Sequence, residues 1–313
     1  MKAAFIINSF NRFSLLEKSI ESVIPFCERN DTNFHIHIID AGSTDGSLEF
    51  IELIAGRYTF VTYEILQGAS FSKGCNQGIK TIQHFLPEVD ALILFETDNF
   101  LTSVAPILTA LKLIRSNKSI GSIGFSVKTF SGQPVLPGST FLKPTATLLG
   151  LKLSHYLKVE KIKENYDICF HNYYFQKFQV IYTSPLVVSL EVWNKIAGMD
   201  DDLFPFCECD SDLAFRMYKN GYESYVMKCD GVIHDNLNTK STWSEKRVLD
   251  LCRARLAYMK KHNGLFLSYI VRPLLCLRHF IESMYFLIWK RNKKAFLMRL
   301  QLCFNSLNGY ANI

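Results

Sequence analysis

The sequence lacks the residue patterns of several common protein classes. Its nine cysteines include no Cys-x-x-Cys pair, which argues against a zinc site or a disulfide framework and fits a reducing cytosol. The first apolar segment leads into Asn8-Ser9-Phe10-Asn11 instead of Gly-x-Gly-x-x-Gly, so a dinucleotide-dependent oxidoreductase is not expected. The N-terminal apolar run is too short for a signal peptide and predicts a first strand. Internal repeats and low-complexity tracts are missing as well.

Long apolar runs are also missing, even from the apolar C-terminal part. Arg272, Arg278 and Glu282 interrupt every run before the roughly 20 residues that a membrane span needs. From Lys240 to Ile313 there are fourteen Lys and Arg but three Asp and Glu, whereas acids exceed bases in the preceding part. This basic, apolar tail predicts helices that lie on an anionic membrane surface. The alternative is a helical pair packed on the rest of the chain or on a second copy in a homodimer. A nucleic-acid partner is not expected for this tail, because its apolar residues do not suit a solvated phosphate-binding surface.

Three acidic segments follow apolar runs, and the first of them spans Ile38 to Ser47. Here a predicted strand ends on Asp40 and passes into a turn rich in Gly, Ser and Thr. Ligands bind at the carboxyl ends of strands in open α/β sheets, where glycines let the backbone approach closely. The segment therefore predicts one wall of a nucleotide pocket. The alternative is an ordinary turn in which Ser47 only caps the next helix.

In the second acidic segment, Ala91 to Asn99, a predicted strand of the buried type is followed directly by Glu96-Thr97-Asp98. In extended chain the side chains of Glu96 and Asp98 share a face, so both could reach one hard cation such as Mg²⁺ or Mn²⁺. The alternative is an acidic cap for a helix that begins near Ser103.

The third segment, Asp200 to Arg216, places six acids within thirteen residues. Asp210 and Asp212 stand at the predicted start of a helix, where the dipole favours carboxylates and where either acid is able to serve as a cap. Crowded carboxylates also raise one another's pKa, which produces a usable general base. His234 follows a short strand further on; a lone histidine is more often structural.

The apolar periodicity predicts alternating strands and helices, typical of a mostly parallel sheet. Prolines and an aromatic cluster at 171–175 interrupt the alternation and predict loops between 128 and 178. Strands are expected near 3–7, 35–39, 60–65, 91–95, 122–127, 180–189 and 223–227, and helices near 14–24, 47–55, 75–86, 103–116 and 210–220.

In their order and spacing these segments resemble the family 2 glycosyltransferases over roughly residues 3–235. Within the family, the sequence is most similar to the bacterial rhamnosyl- and galactosyltransferase-like branch that builds O-antigen or capsule. The segments that carry the resemblance are Ser9-Phe10-Asn11-Arg12, Asp40 to Ser47, Lys73 to Ile79, Glu96-Thr97-Asp98, Phe204 to Arg216 and His234.

The resemblance implies a GT-A fold over residues 1–240, with a nucleotide-sugar half at about 1–127 and an acceptor half at about 128–240. The remaining residues, 241–313, form the basic helical extension. The implied reaction is inverting: a carboxylate deprotonates a hydroxyl of a glycan acceptor, which is expected to be lipid-linked. That hydroxyl then attacks a nucleotide-diphospho-sugar, while Mn²⁺ or Mg²⁺ stabilises the leaving diphosphate. A cytoplasmic protein at the inner face of the cell membrane fits this reaction.

The resemblance also assigns roles to single residues. Asp210 matches the catalytic base, Asp98 the metal ligand, and His234 a histidine that helps hold the metal or the diphosphate. Residues matching nucleotide-sugar contacts are Ser9, Phe10, Arg12, Asp40, Lys73 and Glu96.

Two positions depart from the family pattern. Glu96 stands where the family often has Asp or Asn, and Cys209 replaces the Glu of a Glu-Asp-x-Asp pattern. Glu208 is adjacent, but alternate residues of a strand point to opposite sides, so it is not expected to replace the missing acid. Asp212 is the reserve candidate for the base. An inactive sugar-nucleotide-binding relative and a phosphotransferase using the same diphosphate pocket are the alternatives.

Overall fold

The computed structural model describes residues 2–29, 33–156, 166–236 and 245–308. The chain divides into two compact units, which consist of residues 1–141 with 162–239 and of residues 142–161 with 240–313. The boundary predicted at residue 240 lies outside the described residues. The segment 142–161 is grouped with the C-terminal helices.

The described elements alternate along most of the first unit and become purely helical near the C-terminus. The strands are β1 Lys2–Ser9, β2 Phe34–Asp40, β3 Val61–Ile65, β4 Val89–Leu94, β5 Asn99–Leu101, β6 Ile120–Phe125, β7 Val127–Lys128, β8 Pro134–Val135, β9 Gly138–Ser139, β10 Tyr166–Phe170, β11 Tyr173–Phe178, β12 Val180–Ile181, β13 Leu186–Ser189, β14 Glu223–Lys228 and β15 Val232–His234. The helices are α1 Phe13–Cys27, α2 Ser47–Arg57, α3 Phe71–Phe85, α4 Ala105–Ser116, α5 Pro144–Tyr156, α6 Leu190–Lys195, α7 Cys209–Lys219, α8 Glu245–His262, α9 Leu265–Ile288 and α10 Lys293–Leu307.

A nine-stranded sheet in the order β10-β11-β14-β6-β13-β4-β1-β2-β3 forms the centre of the first unit. Strand β1 is almost wholly buried and apolar, as expected for a strand covered on both faces. It pairs in parallel with β2 and β4, so that Phe5 lies opposite Ile36 and Ile93. The predicted α/β fold with a central sheet is confirmed. The sheet is mixed rather than mostly parallel, because β13 runs antiparallel between β4 and β6 and the β10–β11 hairpin adds a further antiparallel edge.

Helix α3 packs closely on β1 and β2. A Cβ at Gly74 would lie 2.1 Å from Asn8 Oδ1, and one at Gly78 would lie 2.4 Å from Ile39 Cδ1, so only glycine permits this approach. The helix begins at Phe71, four residues before the predicted start, because the Ser70 side chain accepts a hydrogen bond from the backbone N–H of Lys73 and caps it.

Two stretches of the first unit differ from the prediction. The strand expected at 180–189 is two strands, β12 and β13, which belong to different sheets and are separated by residues 182–185. Pro185 has no N–H for a continuous ladder. The loops expected between 128 and 178 contain α5 and the β10–β11 hairpin, whose turn residues His171 and Asn172 both have positive φ.

The second unit is helical in its described part, which confirms the predicted helical C-terminal region. Helices α8, α9 and α10 share a small apolar core made by Leu256, Met259, Val271, Leu275 and Leu302. None of the described helices has both the length and the apolarity needed to cross a membrane.

Candidate functional site

Polar residues collect where β1, β2 and β4 end, at the same edge of the sheet. The β1–α1 and β2–α2 loops are tied together there by Asn11, whose backbone N–H donates to Ser43 Oγ at 2.8 Å and whose Oδ1 accepts from the N–H of Thr44 at 2.8 Å. Asn11 has a φ of 49°, a conformation that Asn tolerates better than most residues. These bonds fix the shape of the edge before any ligand is bound.

Asp40 is fully buried at the end of β2, and its carboxylate organises the turn that follows. One oxygen accepts from the N–H groups of Gly42 and Ser43 at 2.9 and 2.6 Å, and the other accepts from Ser43 Oγ at 2.7 Å. The predicted turn after β2 is therefore present, with Asp40 bonded to its own loop. Direct contact between Asp40 and a nucleotide stays a prediction.

The other predicted nucleotide contacts lie around the same edge. Ser9 is buried at the end of β1 and its Oγ has no hydrogen-bond partner, whereas the side chain of Phe10 is 56% exposed. Lys73 is exposed on the first turn of α3. Arg12 reaches across to the β4–β5 turn, where its Nη1 lies 3.3 Å from Thr97 Oγ1 and 3.2 Å from Asp98 Oδ2.

Asp98 and His234 come together because β5 and β15 pair antiparallel, with Asn99 opposite His234. The Nδ1 atom of His234 lies 3.5 Å from Asp98 Oδ1 and 3.2 Å from Asn99 Oδ1. Asp98 is buried, and its Oδ1 accepts no hydrogen bond. A buried anionic oxygen beside an imidazole is a donor set that suits a divalent cation.

Within the described residues, no group of three or more His, Cys, Asp or Glu is arranged to hold a metal ion. Metal binding by Asp98 and His234 therefore stays a prediction. The extended chain predicted for Glu96 and Asp98 is wrong: β4 ends at Leu94, and the chain turns, with the N–H of Asn99 donating to the carbonyl of Glu96. That both acids reach one cation stays a prediction. The turn is needed because β5 belongs to a different sheet from β4.

Glu96 instead faces Thr183 and Asp210. Thr183 is buried, and its Oγ1 donates to Glu96 Oε1 at 3.0 Å. The side chain and the backbone of Thr183 also lie next to the Asp210 carboxyl and lower its pKa, although the one hydroxyl hydrogen of Thr183 can serve only one of the two acids at a time. Thr183 therefore joins the acid after β4 to the acid on the first turn of α7.

This arrangement shifts the pKa of both carboxyls. Burial raises the pKa of Asp210 to about 7, with a further contribution from the negative charge of Glu96, although the Thr183 bonds oppose the shift. Burial likewise raises the pKa of Glu96, and the neighbouring Asp98 raises it further. A carboxyl that titrates near neutrality is suited to take a proton from a hydroxyl at physiological pH.

Helix α3 holds the loop that leads to Asp210. Ser72 donates from Oγ to the carbonyl of Phe204 at 2.6 Å, and its N–H donates to the carbonyl of Pro205 at 3.1 Å. Asn76 makes a two-way contact with Met199, in which its Nδ2 donates to the carbonyl at 2.8 Å and its Oδ1 accepts from the N–H at 2.9 Å. The position of the acid thus depends on a helix more than 120 residues away in sequence.

Asp212 lies on the same turn of α7 but serves the structure. It is buried, and its Oδ2 accepts from Arg216 Nε at 2.8 Å across one helical turn. The guanidinium of Arg216 also donates to the carbonyl of Ile196. An acid engaged in this way is a poor proton acceptor, so the geometry favours Asp210 over the reserve candidate.

Cys209 and Glu208 do not lie on a strand, so the prediction that their side chains point to opposite sides of one is wrong. Helix α7 begins at Cys209, and Glu208 precedes it with a φ of 59° and accepts from Ser211 Oγ at 2.6 Å. The Cys209 thiol is buried and donates to the carbonyl of Phe206 at 3.2 Å. Burial and the Asp210 charge raise its pKa, so the thiol stays neutral.

The sequence analysis does not identify Thr183, which lies next to both acids. Thr183 falls inside the strand predicted at 180–189, where no motif indicates a functional residue. The only available signal was Ser184-Pro185 directly after it, since a proline within a strand pattern argues for a break in the ladder.

Comparisons with known proteins identify a family match for part of the chain. Residues 4–84 match the model of Glycosyl transferase family 2. No curated protein matches the chain by sequence.

Three solved structures are similar over nearly the whole chain. The mannosyltransferase PcManGT from Pyrobaculum calidifontis, in complex with GDP-Man and Mn²⁺, has 13% identity and a TM-score of 0.54 over 99% of this chain and 87% of its own. TarS from S. aureus has 14% identity and a TM-score of 0.52, over 93% of this chain and 45% of its own. GalNAc-T7 with UDP, GalNAc and Mn²⁺ has 11% identity and a TM-score of 0.58, over 99% of this chain and 58% of its own. The chain therefore spans only about half the length of the last two proteins. At these identities the likeness is one of fold: the chain has the GT-A-like fold of these structures, and its residues 4–84 match family 2.

Proposed function

We propose that this protein is a glycosyltransferase that moves a sugar from a nucleotide-diphospho-sugar to a hydroxyl of a glycan acceptor. The observation that carries the proposal is the position of Asp210. Its carboxyl, with a pKa of about 7, contacts Thr183 beside Glu96 and lies in a GT-A-like fold. The match of residues 4–84 to family 2 supports the same chemistry.

In the proposed reaction Asp210 acts as the general base. Its carboxylate takes the proton of the acceptor hydroxyl, whose oxygen attacks the anomeric carbon from the face opposite the leaving nucleotide diphosphate. The configuration at that carbon is inverted. Positioning a base of matched pKa against a bound hydroxyl contributes typically 10²–10⁴-fold to a rate. Thr183 orients Asp210, and Glu96 is placed to accept a hydrogen bond from the ribose or the donor sugar.

Asp98 and His234 are proposed to hold Mn²⁺ or Mg²⁺, for which the unpartnered Asp98 Oδ1 and the adjacent imidazole are suited. When bound, the cation supplies positive charge that stabilises the leaving diphosphate. Arg12 already contacts Asp98 and is positioned to add a second positive charge at this point. Two of the similar structures are complexes with GDP-Man and Mn²⁺ and with UDP, GalNAc and Mn²⁺, which supports a donor and a metal of this kind.

The nucleotide is proposed to lie over the loops after β1 and β2. Ser9, Phe10 and Asp40 line those loops, and Lys73 extends from the first turn of α3. Phe10 is exposed and offers an aromatic face for a base, and the orphaned hydroxyl of Ser9 offers a hydrogen bond. These residues are proposed to hold the donor, and the residues after β6 are proposed to hold the acceptor.

For the acceptor we propose a lipid-linked glycan and a role in surface polysaccharide synthesis, with a hexose or deoxyhexose transferred. The resemblance to the rhamnosyl- and galactosyltransferase-like branch supports this choice. We also propose a cytoplasmic protein that contacts the inner face of the membrane through its basic, apolar C-terminal helices. A homodimer formed through the same helices is the competing arrangement.

Calorimetric titration tests the donor half of the proposal. UDP-, GDP- and dTDP-linked sugars are titrated into the full chain with Mn²⁺ and then with chelator, and binding of one donor that is lost with chelator is expected. Donor binding without transfer, with transfer gained by Cys209→Glu, would instead favour an inactive sugar-nucleotide-binding relative. Transfer of phosphate without sugar would favour the phosphotransferase.

A further inference from the structure

Helix α9 of the second unit buries three polar side chains together with Val271 and Leu275, while most of its large apolar side chains are exposed. Ser268, His279 and Ser283 are buried along one side of this 24-residue helix. The opposite side exposes large apolar residues that recur every three or four positions and so form one stripe. This stripe, the α9 face, consists of Phe266, Tyr269, Ile270, Leu274, Leu277, Phe280, Ile281, Tyr285, Leu287 and Ile288.

An ionic cluster on the inner side fixes the rotation of the helix. Glu282 accepts from Arg278 Nε at 2.9 Å, lies 3.4 Å from His279 Nδ1, and pairs with Arg299 Nη1 of α10 at 3.2 Å. Turning the helix to bury the α9 face would pull Glu282 away from Arg299. The outward position of the apolar residues is therefore held by specific contacts.

The exposed apolar residues of the α9 face form one continuous stripe, unlike the isolated apolar residues found on most protein surfaces. Phe266 is 80% exposed and Leu277, in the middle of the stripe, is 56% exposed. The helix is about 36 Å long at 1.5 Å per residue, and its stripe runs from end to end. Contiguous apolar surface of this extent marks a place where another molecule is bound.

Positive charge lies at both ends of the stripe. Lys290, Arg291, Lys293 and Lys294 are exposed just after α9, and Lys260 and Lys261 are exposed just before it. Trp289, 72% exposed, marks the boundary between the apolar stripe and the C-terminal cations. Aromatic and basic residues at the edge of an apolar stripe are typical of a helix that lies in a membrane interface.

The charges favour a lipid surface over a second copy of the chain. In a symmetric dimer through the α9 face, the cationic ends would gain no opposite charge from the same surface of the second copy, whereas anionic headgroups would neutralise them. The ion pairs of Glu282 with Arg278 and Arg299 also do not suit a helix that spans the bilayer, and none of the described helices is long and apolar enough to do so.

We propose that the α9 face is a docking surface for an anionic lipid bilayer, in which the helix lies parallel to the membrane plane with this face in the acyl region. This inference deepens the membrane contact in the proposed function. It names the surface and its orientation, and it requires neither donor nor acceptor. Its test is therefore separate from the test of sugar transfer.

Flotation of the full chain with vesicles tests the surface. Phosphatidylcholine vesicles are compared with vesicles containing 30% phosphatidylglycerol, at low and at high salt. We expect binding that needs the anionic lipid and that weakens with salt. Leu277→Glu should reduce the bound fraction at least tenfold. Leu53→Glu, which places the same charge at a 70% exposed leucine of α2, should bind as the wild type does.

Two further measurements keep the outcome unambiguous. Dibrominated lipid should quench the fluorescence of the wild type, and Trp289→Phe should lose most of that quenching. Sedimentation of the wild type and of Leu277→Glu tests the competing arrangement, a homodimer formed through the C-terminal helices. A dimer that Leu277→Glu dissociates, together with no vesicle binding, would overturn the proposal; so would equal vesicle binding by Leu277→Glu and wild type. Circular dichroism and urea unfolding confirm that each variant is folded.

Discussion

Replacing Asp210 by Asn tests the electrostatics of the site without a transfer assay. In the folded protein burial and the Glu96 charge raise the pKa of Asp210 from 3.8 to about 7, whereas the unfolded chain retains the lower value. The unfolded state therefore releases its proton first as the pH rises, and the stability of the wild type falls between about pH 4 and pH 7. Asn is neutral at every pH, so the variant escapes this loss.

The magnitude follows from the difference between the two pKa values of Asp210. A difference of about 3, at about 1.4 kcal/mol per pKa unit, corresponds to about 4 kcal/mol at pH 8. About half of this loss has developed at pH 5.5, because the unfolded chain is already ionised there. The free energy of unfolding of Asp210→Asn, relative to the wild type, should thus rise by about 2 kcal/mol from pH 5.5 to pH 8. The lower pKa expected for Glu96 once Asp210 is neutral acts in the same direction.

Urea unfolding of both proteins at a series of pH values, followed by fluorescence and circular dichroism, measures this difference. Asp202→Asn removes an exposed carboxylate from the preceding loop and controls for the change in net charge. The reasoning would be refuted if the stability difference between Asp210→Asn and wild type were the same at pH 5.5 and pH 8, since the folded Asp210 would then titrate as it does in the unfolded chain.

Three further predictions concern the neighbouring residues. Asp98→Ala should bind donor equally with Mn²⁺ and with chelator in calorimetry, because it loses the buried oxygen proposed as ligand; retained metal dependence would remove Asp98 from that role. Thr183→Val should lower the transfer rate about 10-fold or more, from the loss of hydrogen bonds to a charged group. It should also move the ascending limb of the pH–rate profile to higher pH, because those bonds hold the pKa of Asp210 down; Thr183→Ser is the control and should restore both, and an unmoved limb would contradict the assignment. Asp212→Asn should destabilise the fold by about 3 kcal/mol in urea unfolding by breaking the buried pair with Arg216, and an unchanged stability would show that this pair is dispensable.

Much of the candidate site could be predicted from local sequence. Strands that end on acids place Asp40, Glu96 and Asp98 at one edge, because the carboxyl ends of parallel strands meet there. Helix α7 begins at Cys209, within a residue of its predicted start, and carries Asp210 on its first turn. Such features depend on hydrophobic periodicity and capping, which are written into contiguous residues.

The rest depends on pairing between distant segments. The turn at Glu96–Asn99 follows from β5 leaving the central sheet to pair with β15, and no residue near position 96 encodes that partner. Thr183 enters the site only because β13 inserts antiparallel between β4 and β6. In the C-terminal part the basic, apolar composition was visible in the sequence, but which side of α9 is exposed depends on contacts such as the pair between Glu282 and Arg299.

A transfer assay with the donor found by calorimetry shows directly whether the protein moves a sugar. Labelled donor is incubated with a lipid-linked glycan extract and Mn²⁺, and the label in the acceptor is compared with the nucleoside diphosphate released. Equal amounts of both are expected with the wild type. Asp210→Asn should retain donor binding and should have a transfer rate lower by roughly 10²–10⁴-fold. Wild-type transfer rates in Asp210→Asn, or a product that carries phosphate instead of sugar, would contradict the proposed function.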